Sequence, residues 1–297
     1  MRNANLGLGT VQFGLDYGIA NHEGQCTPNE AAEILHLAAR AAIEIVDTAA
    51  LYGSSEAVIG RNLPVDGKFK LITKTASFGG QRIGQKEISE LVATFERSLE
   101  RLKLESVYGL LVHHCEDLTA PGGERILETM QEFVAAGRVQ KIGASVYQDE
   151  QLAYVLDNPC IEIIQVPLNV LDQRHLQSGD IQRLSAAGIE VHVRSAFLQG
   201  LLLTPVDTIP DFLGPLCPVL SEYYDWLTEQ GLSALEGALG FIRQVDGVAC
   251  VVVGVCSRSQ FNEVLTAYGN VADCSLNFDR FAVADESLID PRHWAAP

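Results

Sequence analysis

Short apolar runs, many of them β-branched, alternate along the chain with longer stretches whose apolar positions recur at helical spacing. The strand-like runs cover residues 6–10, 43–47, 69–74, 107–113, 139–143, 161–166, 189–194 and 248–253. Between them, residues 28–40, 54–62, 86–102, 123–136, 150–157, 181–187 and 259–268 read as helices, and 219–242 as two helices broken near Gly231. In 86–102 the apolar face is Ile88, Leu91, Val92, Phe95, Leu99 and Leu102. Local punctuation agrees. Thr27 precedes Pro28 as an N-cap precedes a first-turn proline, and Gly137 and Gly188 follow helix ends.

Eight strands alternating with helices predict a parallel sheet buried on both faces. The count of eight predicts closure into one (β/α)8 TIM barrel, an α/β domain spanning residues 1–297. An open, doubly wound sheet is the alternative. It is disfavoured because the first strand runs through Gly7-Leu8-Gly9-Thr10-Val11-Gln12, with no GxGxxG leading into a helix.

Composition narrows the function classes. Asp and Glu number 38 against 21 Lys and Arg, for a net charge of −17. Such a surface repels phosphate backbones and anionic lipids, so neither nucleic acid nor membrane is expected as a partner. Seven cysteines (Cys26, Cys115, Cys160, Cys217, Cys250, Cys256, Cys274) form no CxxC pair. They read as reduced thiols in a cytoplasmic protein, without a metal site. The first residues lack an apolar core of signal-peptide length, and the longest apolar runs are strand-sized.

In a barrel, chemistry sits where strands end and the following loops begin. Those positions hold Asp47 with nearby Tyr52, then Lys74, His113-His114, Ser145, Gln165 to Asn169, and Arg194-Ser195. Singly, each has an ordinary reading as a turn cap, solvated terminus or packing aromatic. Jointly they place an acid, a phenol, an ammonium and an imidazole around one barrel mouth.

The stretch Asp47-Thr48-Ala49-Ala50-Leu51-Tyr52-Gly53-Ser54-Ser55-Glu56, with Ile59-Gly60, resembles the signature of the aldo-keto reductases. Leu71-Ile72-Thr73-Lys74 and Leu110-Leu111-Val112-His113 resemble that family's lysine and histidine strands. Ile142 to Ser145, Ile164 to Asn169, Gly200-Leu201-Leu202, and Gly254 with Gln260 continue the likeness in order.

The resemblance implies a barrel that binds NADPH without a Rossmann domain, and a tetrad of Asp47, Tyr52, Lys74 and His113. In that scheme Tyr52 is the general acid. Lys74, fixed by Asp47, lowers the phenol pKa, and neutral His113 orients the carbonyl oxygen. His113 shares a strand face with Leu111 and Gly109, and His114 points away. Ser145 and Gln165 would hold the carboxamide, with Gly9 and Thr10 beneath the nicotinamide and Arg194 stacked on it. Ser195, Phe197 and Gly200 would line the pyrophosphate path. Gly254, Ser257, Arg258, Gln260 and Glu263 would face the adenosine end.

Some positions depart from the family pattern. Cys256 stands where NADPH-preferring members often carry a basic residue, leaving Arg258 and Ser257 for a 2′-phosphate and NADH as the alternative cofactor. Val146 replaces a frequent asparagine, and the hairpin that often closes the barrel bottom looks shortened or missing.

The expected activity is reduction of an aldehyde or ketone, such as that of a sugar or small metabolite, by a monomer or small homo-oligomer. Phe13, Tyr17, Tyr147, Trp226 and Trp294 are candidate pocket walls, and Arg194 or Arg174 could meet an anionic substrate. The competing readings are a non-catalytic, nicotinamide-binding regulatory relative and a barrel aldolase with Lys74 as Schiff-base nucleophile.

Overall fold

The computed structural model describes residues 4–80 and 82–294. The chain start at residues 1–3 and the last three residues, both within the spans considered above, lie outside the described residues. Eight strands run in chain order: β1 (Asn5–Gly9), β2 (Ile45–Asp47), β3 (Lys70–Lys74), β4 (Val107–Val112), β5 (Val139–Ser145), β6 (Ile161–Pro167), β7 (Glu190–Arg194) and β8 (Val248–Gly254). All neighbours are parallel, and β8 pairs back onto β1 with Leu8 opposite Val253, so the barrel is closed as expected.

Two apolar layers follow from the two faces of each strand. Ile45, Ile72, Leu111, Ile163, Cys250 and Val252 fill the barrel interior. Their strand neighbours, such as Val46, Leu71, Leu110, Ile164 and Val251, pack outward against the helices. The interior is full: a Cβ on Gly7 would meet Cys250 Sγ at 2.6 Å. Chemistry is therefore confined to the rim, above this plug of side chains.

Helix Pro28–Arg40 begins as its sequence demands, Thr27 accepting a hydrogen bond from Glu30 N at 3.2 Å. Helix Gln85–Leu102 starts where the Gly84 amide donates to Glu87 Oε2 at 2.9 Å. The expected pair of helices around Gly231 is Cys217–Gln230 and Ala234–Arg243. Residues 198–216 after β7 hold three short 3₁₀ turns that apolar periodicity did not reveal. Pro205, Pro210 and Pro215 recur every five residues there, and a proline inside a helix removes a backbone donor and clashes with the preceding turn. Among the described residues no helix is long and apolar enough to cross a membrane.

Helix Ser55–Asn62 leaves the rim and packs on helix Gln85–Leu102 through Gly60. A Cβ there would lie 2.1 Å from the Arg101 carbonyl oxygen. Gly60→Ala is expected to cost about 1–3 kcal/mol, the usual range for forcing an extra carbon into a packed contact. Urea unfolding checks this, and an unchanged midpoint would show that the two helices part freely.

Candidate active site

Strand side chains alternate between faces, so the interior residues fix which rim residues point inward. Two positions after Ile45 comes Asp47, and two after Ile72 comes Lys74. Two after Leu111 comes His113, and two after Ile163 comes Gln165. Four inward-facing positions, three on β2, β3 and β6 and His113 one residue past β4, therefore converge above the plug.

Their contacts are short. Lys74 Nζ donates to Asp47 Oδ1 at 2.5 Å and to the Thr48 carbonyl at 3.0 Å. Gln165 Nε2 donates to the other oxygen, Asp47 Oδ2, at 2.5 Å. Asp47, Lys74 and Gln165 are all buried. A buried carboxylate with both oxygens engaged and a buried ammonium with an opposite charge meet the condition under which such ions persist.

Tyr52 reaches this cluster from the loop after β2. That loop is tied to β1 by Ser55 Oγ, which donates to the Thr10 carbonyl at 2.8 Å, and by Thr10 Oγ1, which donates to the Asp47 carbonyl at 2.8 Å. Gly14 lets the turn close, since a Cβ there would sit 1.8 Å from the Tyr52 carbonyl oxygen. The Tyr52 ring lies 5.0 Å from Lys74 Nζ and meets the His113 ring edge-on at 5.7 Å.

The electrostatics differ in one respect from the sequence reading. Burial raises the Tyr52 phenol well above its ordinary value, and Asp47 raises it further, against a smaller opposing effect of Arg194. Lys74 was expected to lower it. Its charge is instead answered by Asp47 at 2.5 Å, and burial with the Asp47 charge leaves the net shift upward. The phenol keeps its proton at physiological pH. Burial lowers the Lys74 pKa, while the charge and hydrogen bond of Asp47 oppose that shift. Burial, then the charges of Lys74, His114 and Arg194, push His113 down to about 2, so its imidazole is neutral.

A cavity of about 590 Å³ opens beside the cluster. Asp47, Tyr52, Lys74 and His113 line it, but His114 does not. So do Gly9, Thr10, Ser145, Gln165, Arg194, Ser195, Phe197, Gly200, Gly254, Gln260 and Glu263. Ser257 and Arg258 lie outside it. Ser257 caps helix Arg258–Asn270 by accepting from Gln260 N, and Arg258 pairs with Glu33 at 3.2 Å.

Of the aromatic candidates, Tyr17 and Tyr147 line the cavity. Phe13 is core, Trp226 packs on Phe278 and Phe281, and Trp294 faces Phe212. Arg174 is held away by Asp172 and Glu286.

Residues not singled out from sequence complete the lining, among them Gln12, Asn21, Glu23 and Gln199. Gln12 Oε1 and Arg194 Nε are buried without a hydrogen-bond partner among the described residues. Arg194 donates to the Val146 carbonyl at 3.1 Å, and its guanidinium lies 3.8 Å from the Tyr147 ring centre. The guanidinium of Arg292 lies 3.5 Å from the same ring centre. Ser195, Leu198 and Gln199 adopt positive φ beside this wall, a conformation that costs non-glycine residues energy and gathers at ligand clamps. No cluster of metal-ligating side chains occurs among the described residues.

The sequence model of the Aldo/keto reductase family matches residues 5–274. Aldo-keto reductase YhdN of Bacillus subtilis is 28% identical over 182 residues, which cover 59% of this chain and 53% of that protein. Glyoxal reductase of the same organism is 27% identical over 183 residues, covering 59% and 61%. The matched stretches thus span little more than half the length of these relatives. In fold, the chain is similar to an aldo-keto reductase from Bacillus halodurans solved in a holo form, with a TM-score of 0.70, 18% identity, and 95% and 96% of the two chains covered. A second solved structure, titled a putative aldo-keto reductase from Pseudomonas aeruginosa, gives 0.67 at 21% identity, with 91% and 92% covered.

The buried pair carries its own test. Asp47→Asn leaves the Lys74 ammonium buried without a counter-ion, an expected loss of about 3–5 kcal/mol near neutral pH. Lys74 then titrates lower in the folded chain than in the unfolded one. Between those two values the unfolded chain binds more protons, so the loss shrinks as pH rises. Thermal unfolding of both proteins at pH 6 and pH 9 checks the sign, and a pH-independent difference would contradict it.

Proposed function

Because this chain belongs to the aldo/keto reductase family, we propose that it reduces the carbonyl of a small aldehyde or ketone with a reduced nicotinamide dinucleotide, Tyr52 giving the proton. The observation that carries this reading is the convergence of a protonated Tyr52, a neutral His113 and the buried Lys74–Asp47 pair on one 590 Å³ cavity. One curated relative is named a glyoxal reductase, which accords with a small carbonyl substrate.

The residues present fit the dinucleotide. The buried, unpartnered Gln12 Oε1 and Arg194 Nε leave polar groups of the cavity wall for a ligand to satisfy. Ser145 and Gln165 would meet the carboxamide, Arg194 the ring, and Ser195, Phe197 and Gly200 the pyrophosphate. When bound, the nicotinamide supplies hydride to the carbonyl carbon.

The chain's residues supply the rest. Tyr52 Oη donates its proton to the oxygen as negative charge develops there. Neutral His113 donates a hydrogen bond to the same oxygen and fixes the carbonyl's direction. Asp47, with Gln165 on its second oxygen, fixes the Lys74 ammonium 5.0 Å from the Tyr52 ring. Held by Asp47 and the Thr48 carbonyl, the Lys74 amine is a charge rather than a nucleophile, which disfavours Schiff-base chemistry.

Tyr52→Phe should lower turnover of a small aldehyde by about 10²–10⁴-fold, the range of general-acid contributions, with dinucleotide binding retained. Steady-state kinetics beside calorimetric titration separates the two, and undiminished turnover would remove Tyr52 from the mechanism. His113→Ala should cost far more turnover than His114→Ala, and the reverse ranking would exchange their roles.

A further inference from the structure

The cavity has two chemically different ends. At the end with Tyr52 it is lined by Lys74 and Arg194, which are its lysine and arginine among the described residues. At the other end, beyond Gly254, the polar lining is Asn21, His22, Glu23, Cys256, Gln260 and Glu263. Given the proposed reading, the nicotinamide lies at Tyr52 and the adenosine ribose at this second, acidic end.

Three amides that could grip a phosphate there are already committed. Helix Arg258–Asn270 begins at this end, and a helix start is a natural anion site. Its first amide, Arg258 N, donates to Glu30 Oε2 at 2.7 Å. Gln260 N donates to Ser257 Oγ at 3.3 Å, and Cys256 N donates to Gln260 Oε1 at 2.8 Å. The helix start has thus taken a carboxylate of the chain itself.

The Arg258 side chain leaves the cavity to pair with Glu33 at 3.2 Å. That pair is exposed and weak. The position of Arg258 therefore matters more than the strength of its pairing: it sits beyond the cavity wall, between Glu33 and Glu30.

We infer that the second end admits an unphosphorylated ribose and rejects a 2′-phosphate, so that the chain selects NADH over NADPH, with Glu23 and Glu263 as specificity-determining residues. A phosphate monoester carries about −1.5 to −2 charges at neutral pH and would enter beside two carboxylates, with no lysine or arginine among the described residues lining that end. A ribose 2′-hydroxyl instead donates a hydrogen bond to a carboxylate, the arrangement by which acidic residues favour NAD over NADP in other dinucleotide sites. This replaces the expectation that Arg258 and Ser257 would hold a 2′-phosphate. It rests on the nicotinamide reading above and adds the choice between the two dinucleotides.

Glu23 and Glu263 are exposed, so Gln at either position keeps the side-chain shape and removes a solvated charge. Parallel calorimetric titration of the intact protein with NADH and NADPH at low salt should show NADH tighter by about tenfold or more, equivalent to about 1.4 kcal/mol. The difference should narrow at high salt, as screening of exposed charges requires. In Glu23→Gln/Glu263→Gln the ratio should fall towards one, mainly through tighter NADPH binding. Equal or tighter binding of NADPH by the parent protein overturns the inference and leaves the reductase reading standing. So does a ratio that the double substitution does not move. Failure of both dinucleotides to bind overturns the reductase reading and this inference together.

Discussion

An ammonium and a carboxylate, both withdrawn from water, face each other at 2.5 Å across the barrel mouth. Neither is tolerable there alone. Asp47 needs Lys74 for charge and Gln165 for its second oxygen, and Lys74 also needs the Thr48 carbonyl. Three strands, β2, β3 and β6, are thereby pinned in register at their C-terminal ends. The constraint organises its surroundings. It answers the charge of Lys74 beside Tyr52, while burial and the charges of Lys74, His114 and Arg194 keep His113 neutral. Burial first, and then the charges around this pair, set the protonation of Tyr52 and His113.

Closure of the barrel makes that pairing possible. Because β8 returns to β1, every strand's inward residues meet at one axis. The rim residues are simply the next inward positions after Ile45, Ile72, Leu111 and Ile163. This is why so much of the site was legible before any coordinates. Periodicity of two decides face, strand ends decide height, and the strand count decides closure, all from local sequence. The choice of His113 over His114 came from the family resemblance, and the geometry accords with it: β4 itself stops at Val112, yet the alternation continues one step beyond it and brings His113 to the cavity.

What the sequence did not disclose depends on contacts between distant segments. Arg258 carries the right charge for a phosphate, but Glu30 and Glu33, more than two hundred residues away, hold its amide and guanidinium elsewhere. The rise in the Tyr52 pKa comes from burial and from Asp47, and no motif records how deeply a phenol is enclosed. Glu23 and Gln12 reach the cavity from irregular or single-turn segments near β1, where periodicity has nothing to report. The 3₁₀ turns after β7 were hidden for a related reason: prolines say where a helix cannot form, without saying what forms instead.

Tyr147 forms one wall of the cavity, with guanidinium groups of Arg194 and Arg292 each stacked close to its ring. Arg292 is anchored by Asp290 in the last described turn of the chain, and Arg194 belongs to β7 at the barrel mouth. That last described turn thus backs a residue of the pocket wall. Whatever orders Tyr147 from inside the cavity also orders the tail outside it, and by linkage the reverse holds with equal free energy. A tether, a cut or a docked surface at the C-terminal turn would be felt as a change in ligand affinity some distance from any atom that the ligand touches.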